Sequence, residues 1–279
     1  MAAFLACALI VTVVIVVRSQ RRPHVVEPRA LATTDSALLE RYGPAPLDAY
    51  EWSPEDKRIV RDAYNEVLTR CLQDRGITYE AQPPDVWSNA YHWYDFLGLV
   101  DIERAQAVGY QSPDVDELDA LRRAAAEPAI ADASSDELTQ ALSAPGGCTD
   151  TALDAIAADD PTADLEVNAR LYLEATTSAR ADPAVERALQ GWRTCMLEYG
   201  YDLETPTLPE LITAPTPESR RQAISDVNCK ADAQLVSIYI TALYRQESRL
   251  VAEHASELEA YREVNAQRLE LASQQLAGS

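Results

Sequence analysis

Cysteine is the residue type in this chain with the most definite chemistry. Five occur: Cys7 lies in an apolar N-terminal run, and Cys71, Cys148, Cys195 and Cys229 are spread through the rest. A zinc site needs cysteines or histidines at short spacing, and none of the four has a CxxC partner or a nearby histidine. A thiol nucleophile wants an adjacent base, and His24, His92 and His254 suggest no such pair. Four well-separated cysteines fit two disulfides formed in an oxidising compartment; four buried reduced thiols are the alternative. Three connectivities are open, and spacing does not choose among them. If the pairs are Cys71–Cys148 and Cys195–Cys229, the loops close 77 and 34 residues. The chain-entropy model assigns roughly 4 kcal/mol to each.

The run Trp87-Ser-Asn-Ala-Tyr91-His92-Trp93-Tyr94-Asp95-Phe96 holds two of the four tryptophans. Trp87, Tyr91, Trp93 and Tyr94 form a candidate ligand site, since such aromatics stack on sugar rings or apolar ligands. Trp87, Tyr91 and Tyr94 also share a helical face, the pattern of a core, and that reading is preferred. The acid clusters Asp114-x-Asp116-Glu117-x-Asp119 and Asp159-Asp160-x-x-x-Asp164 raise the question of calcium. The first lacks the glycine and closing glutamate of an EF-hand. Both fall where helices should start, and acids there offset the macrodipole. No metal and no cofactor is therefore expected. No nucleophile elbow, HExxH or phosphate-cradling glycine loop occurs, so no catalytic residue is singled out.

The elements that must position these residues read as helices. Ser53-Pro54-Glu55-Asp56 is a start signal, with an N-cap serine, proline at the first position and acids in the first turn. Ile59, Ala63, Val67, Leu68 and Cys71 follow at helical spacing, and Gly76 can end the helix. Asp182-Pro183 begins a second copy carrying Val185, Ala188, Leu189, Trp192, Cys195 and Met196, with Gly200 as its stop. Both copies read Cys-Leu/Met-x-x-x-Gly-x-x-x-Glu, which suggests duplicated halves over 54–180 and 181–279. Shorter helices are expected over Trp87–Leu97, Asp101–Val108, Val115–Ala126, Ser135–Leu142, Thr149–Ala158 and Ala163–Ala179. Strand signals are thin.

From Glu218 to Ala277 there is neither glycine nor proline. One uninterrupted helix there would run roughly 90 Å. Its first half is broadly apolar, as packing into a bundle requires. Beyond Leu250 the stripe narrows to Leu258, Tyr261, Val264, Leu269 and Leu276, so that end is expected to project. It would bind a partner or self-associate as a coiled coil. The fold class is thus all-α: a helical bundle with a long C-terminal helix and two disulfides.

Residues 1–17 carry no charged side chain. As a helix they would span roughly 25 Å, slightly short of a hydrocarbon core. No small-x-small cleavage site follows, so a retained transmembrane signal-anchor is expected there. Residues 18–53 read as a linker punctuated by Pro23, Pro28, Pro44 and Pro46, and 54–279 as the helical body. Arg18, Arg21 and Arg22 would hold the body in the cytoplasm by the positive-inside rule. The cysteines require the opposite and are given the greater weight; the two agree if basic residues precede Met1.

The formal charge is −21, and it is uneven. Asp101 to Arg170 holds 16 acids against 4 basic residues, whereas Glu218 to Ser279 holds 9 against 7. An acidic surface of this size repels phosphate backbones, so nucleic acid is not an expected partner. Lysine occurs only at Lys57 and Lys230 while arginine and alanine abound, a bias associated with high-GC genomes such as those of actinobacteria.

The chain resembles a group of uncharacterised secreted or membrane-anchored actinobacterial proteins. The residues that carry the likeness are Arg70-Cys71-Leu72 with Gly76, Phe96-Leu97-Gly98-Leu99, Val108-Gly109-Tyr110 and Gly146-Gly147-Cys148. Trp192-x-x-Cys195-Met196 with Gly200-Tyr201, and Asp226-Val227-Asn228-Cys229-Lys230, are the most specific part. The resemblance covers roughly residues 55 to 270. It implies an extracytoplasmic helical body with a link to envelope export. The expected function is that of a non-enzymatic, single-pass envelope protein, its body outside the cytoplasm, binding a partner protein or wall component. A wall-remodelling enzyme near the aromatic run, and an assembly factor self-associating through the C-terminal helix, are the alternatives.

Overall fold

A computed structural model describes residues 33–79, 94–110, 133–158, 164–206 and 216–278. The first helix, α1 (Asp35–Tyr42), is capped by the Thr34 side chain and leads through a 3-10 turn (Pro46–Tyr50) into α2 (Pro54–Asp74). Then come α3 (Tyr94–Leu97), α4 (Ile102–Val108), α5 (Ser135–Ser143), α6 (Cys148–Asp154), α7 (Val167–Arg180) and α8 (Pro183–Glu198). The last three are α9 (Pro217–Asp232), α10 (Leu235–Glu253) and α11 (Ala255–Ala277). An isolated parallel bridge joins Thr33 to Asp101.

Local signals explain most of these boundaries. Ser53 and Asp56 form a reciprocal capping box at the start of α2, with Pro54 behind the cap. Asp182 caps α8 through the Ala184 N–H, again with proline at the first position. The expected stops hold as well. Gly76 and Gly200 take φ of 79° and 89°, a region that only glycine enters freely.

α10 is central: it packs on α7, α8 and the 3-10 turn, while α9 crosses α4 and α8. The main core lies between α1, α3, α7, α8 and α10, with Leu47, Leu97, Leu171, Trp192, Tyr239 and Leu243 fully buried. A second cluster joins the C-terminal end of α2 to α5 and α6 around Leu68, Leu72, Ile77 and Cys148.

Three expectations are corrected. The expected linker over 18–53 is too long, since from Thr33 the chain is folded into the body. Leu38, Ala45 and Leu47 are buried, and the Leu47 N–H donates to the buried Glu247 carboxylate at 3.2 Å. Of the prolines that suggest a linker, Pro46 starts the 3-10 turn, while Pro23 and Pro28 lie outside the described residues. The 218–277 stretch is three helices. It turns at Gln234, in the left-handed region at φ 53°, and bends at His254. Tertiary packing overrides propensity there: Ala223 and Val227 pack α9 beside Leu99 and Ala105, while Leu235, Tyr239 and Leu243 place α10 in the main core, which Cys229 also joins. Third, the final helix does not project. α11 lies along α2 and touches α7.

Residues 1–17, assigned above to an anchor, lie outside the described residues. Among the described residues no helix is long and apolar enough to cross a membrane.

Candidate functional site

The two cysteine-bearing helices end in the same way. After α2, the Ile77 N–H donates to Leu72 O at 2.9 Å; after α8, the Tyr201 N–H donates to Met196 O at 3.0 Å. In each case the residue after the cysteine accepts from the residue after the glycine, closing a Schellman-type cap. Leu72 and Met196, the two acceptors, are fully buried. Cys71 and Cys195 therefore sit at equivalent places, one turn before the cap, each half-buried.

Their partners differ. Cys71 bonds Cys148, the first residue of α6, and Cys195 bonds Cys229 in the last turn of α9; Cα–Cα is 5.6 Å in both. Of the three connectivities the sequence left open, this is the one that closes loops of 77 and 34 residues.

Beside the second disulfide lies a buried ionic network. The Lys230 ammonium donates to Asp226 Oδ2 at 2.7 Å, to Leu99 O at 2.7 Å and to Pro206 O at 3.4 Å. Trp192 Nε1 donates to the other Asp226 oxygen at 2.7 Å. Trp192, Asp226 and Lys230 are at most 1% exposed. Burial pushes the Asp226 carboxyl up and the Lys230 ammonium down, and the attraction between them opposes both shifts. Tyr110 stands alongside, its hydroxyl donating to Gln222 O at 3.5 Å. Burial, and then the Asp226 charge, raises its pKa. All three Lys230 hydrogens have acceptors and no solvent reaches the nitrogen. The network therefore joins α8, α9, the chain before α4 and the chain after α8; it does not present a nucleophile. No signal in spacing alone revealed it, although Trp192, Asp226 and Lys230 all belong to the motifs singled out above.

Among the described residues an open groove lies between α1 and the α9–α10 corner. Its inner hollow, about 390 Å³, is lined by Thr33, Leu38 and Arg41 on one side and Lys230, Gln234 and Ser237 on the other. An outer hollow of about 450 Å³ shares Arg41, Tyr42 and Ser237 and extends to Thr241, Arg245 and Asp182. Both volumes fall within the range of small-ligand sites. The α1 wall is held in place. Tyr244 donates to Gly43 O at 2.9 Å, and the Asp101 carboxylate accepts the Asp35 N–H at 3.1 Å while capping α4. Along α10, Gln234, Ser237, Thr241 and Arg245 follow at intervals of three and four and so form one polar stripe. The hydroxyls of Ser237 and Thr241 donate to Gln234 O at 3.0 Å and to Ser237 O at 2.7 Å, which leaves their oxygens as acceptors. Arg245 pairs with Asp182 at 2.6 Å. Among the described residues Arg41 has no carboxylate partner and lies over the Tyr42 ring at 5.2 Å.

No protein-family model matches the chain, and searches of curated proteins and of solved structures find no match. The geometry alone has to carry any functional conclusion.

The residues proposed from sequence are distributed as follows. Trp87, Tyr91 and Trp93 lie outside the described residues, and Tyr94 opens α3. The acids Asp114, Asp116, Glu117, Asp119, Asp159 and Asp160 are also outside. Asp164 sits just before α7, where it accepts the Glu166 N–H at 3.0 Å and pairs with Arg170 at 3.0 Å. Those contacts hold its carboxyl below the usual range.

The stripe expected to meet a partner meets the chain itself. Leu258 is buried in the main core, with Tyr261 packed against it. Leu269 packs beside Val60 and Ala63 of α2. Val264 is 3% exposed, whereas Leu276 is 36% exposed. Counting apolar positions does not reveal a covering helix distant in sequence, and α2 supplies one.

Proposed function

We propose that this chain is a binding protein of the cell envelope, anchored in the membrane by residues 1–17. Its helical body then stands outside the cytoplasm and engages a partner protein or wall component. The observation that carries this function is the pair of disulfides. Each joins elements far apart in sequence, and such bonds persist in oxidising compartments rather than the cytosol. The buried ionic groups are engaged in holding helices together, and the accessible polar groups converge on an open groove, which suits binding. The partner-facing surface is thereby reassigned from the C-terminal stripe, which α2 covers, to the groove beside α1.

The test is fractionation combined with accessibility labelling. In intact cells, an impermeant protease should digest a membrane-bound form of the chain, and the body should co-purify with an envelope component after cross-linking. A chain found in the cytosolic fraction and protected from the protease would overturn the proposal.

A further inference from the structure

We propose that the groove between α1 and α10 receives the C-terminal tail of a partner polypeptide, with Arg41 binding the terminal carboxylate. The inference deepens the envelope-binding function and rests on it.

Three features point to this ligand. First, Arg41 is exposed at the junction of the two hollows and has no carboxylate partner among the described residues. Its planar fork matches a carboxylate in bidentate fashion. On a chain of net charge −21, a lone guanidinium admits one compact anion while the surrounding field disfavours polyanions.

Second, the stripe beyond Arg41 offers hydrogen-bond acceptors. The Ser237 and Thr241 hydroxyl hydrogens are engaged within the helix, so their oxygens face a ligand that donates. Peptide N–H groups donate. Residues four apart on a helix are about 6 Å apart along its axis. Same-facing N–H groups of an extended peptide recur every two residues, about 6.6–6.8 Å. The two periods match over one repeat, which suits a short tail. Third, Leu38, Tyr42 and Ile238 line the same hollows and give the tail's side chains apolar contact. Asp182, the acid at the far end, is already engaged by Arg245 and the Ala184 N–H.

The experiment uses the full chain in detergent micelles and a fluorescein-labelled tetra-L-alanine, as its free acid and as its C-terminal amide, followed by fluorescence anisotropy. The free acid should bind saturably and the amide roughly tenfold more weakly. Arg41→Gln should weaken the acid by the same factor and leave the amide unchanged. Arg41→Lys, which keeps the charge but loses the fork, should fall between. Thr241→Val should weaken both peptides, whereas Arg193→Gln, outside the groove, should weaken neither. Circular dichroism melting would establish that each variant is folded. Equal binding of acid and amide, or no saturation below about 1 mM, would overturn the proposal. So would binding indifferent to Arg41. Tighter binding of a tetrapeptide ending in D-Ala-D-Ala would overturn the choice of a polypeptide tail over a wall peptide. Failure of the peptide assay with envelope cross-linking intact would retire the groove and leave the envelope function standing.

Discussion

The two disulfide staples share one local design but stand in different surroundings. Each begins with a capped helix whose last turn carries a half-buried cysteine, and each closes with glycine in a left-handed conformation. Around Cys71–Cys148 the neighbours are apolar: Val67, Leu68, Leu72 and Ala152 form a small cluster beside the main core. Around Cys195–Cys229 the neighbours include Trp192, Asp226 and Lys230, and Cys229 belongs to the main core itself. The first staple attaches a satellite of α5 and α6 to α2. The second fixes the crossing of α8 and α9, on which the ionic network and the α9–α10 corner both depend. A common sequence signature thus serves two energetically different tasks.

The largest effect should come from breaking the network at one end. Lys230→Met leaves Asp226 buried without its partner and should cost about 3–5 kcal/mol in urea unfolding. Adding Asp226→Leu should recover part of that loss, because a buried ion pair is close to neutral against apolar replacements, less the cost of leaving the buried Trp192 N–H without its acceptor. Recovery would show that the pair contributes specificity of packing more than stability. A double variant as unstable as the single one would contradict that.

Next come the staples themselves. Loop entropy alone makes the two nearly equal, with a small advantage to the 77-residue loop. The structure predicts the reverse order. Cys195→Ala/Cys229→Ala should cost more than Cys71→Ala/Cys148→Ala, each in the range of about 2–5 kcal/mol. The excess should shrink in the Lys230→Met/Asp226→Leu background if the two features are coupled. Hydrogen exchange would add a spatial signature, with loss of the first pair loosening α5 and α6 alone.

The smallest effect is in alkaline solution. Burial pushes the Tyr201 and Tyr239 hydroxyls up to about 12, and Tyr79 beside the first staple is raised by burial as well. A tyrosine with a raised folded pKa contributes stability that is complete below its unfolded value, near 10, and is lost as pH rises through the folded one. Phenolate absorbance should therefore lag that of free tyrosine, and stability should decline between about pH 10 and 12. Tyr201→Phe should move that decline measurably, because the Tyr201 hydroxyl is partly buried and donates to Glu218, whereas exposed tyrosines should not.

Much of this architecture was legible before any coordinates. Helix starts at Ser53 and Asp182, stops at Gly76 and Gly200, and the all-helical class all follow from local chemistry. What local chemistry missed depends on contacts distant in sequence. Gln234 takes a left-handed turn between α9, which packs partly beside α4, and α10, which lies in the main core, and nothing in its side chain announces that. The stripe from Leu258 to Leu269 is a packing surface because Leu258 enters the main core and α2, some 200 residues earlier, lies against Leu269. Lys230 belongs to a short motif that does not announce its burial, which depends on the carbonyls of Leu99 and Pro206. The groove likewise arises where residues near 40 meet residues near 240, so no window along the chain contains it.

The account depends most on the staples forming in the cell. The direct measurement is peptide mapping by mass spectrometry of the chain isolated from native membranes, with free thiols blocked at lysis. The account predicts peptides joining Cys71 to Cys148 and Cys195 to Cys229, and no labelled thiol among these four. An exchanged pairing would contradict the described fold, and four labelled thiols would contradict the proposed placement outside the cytoplasm as well.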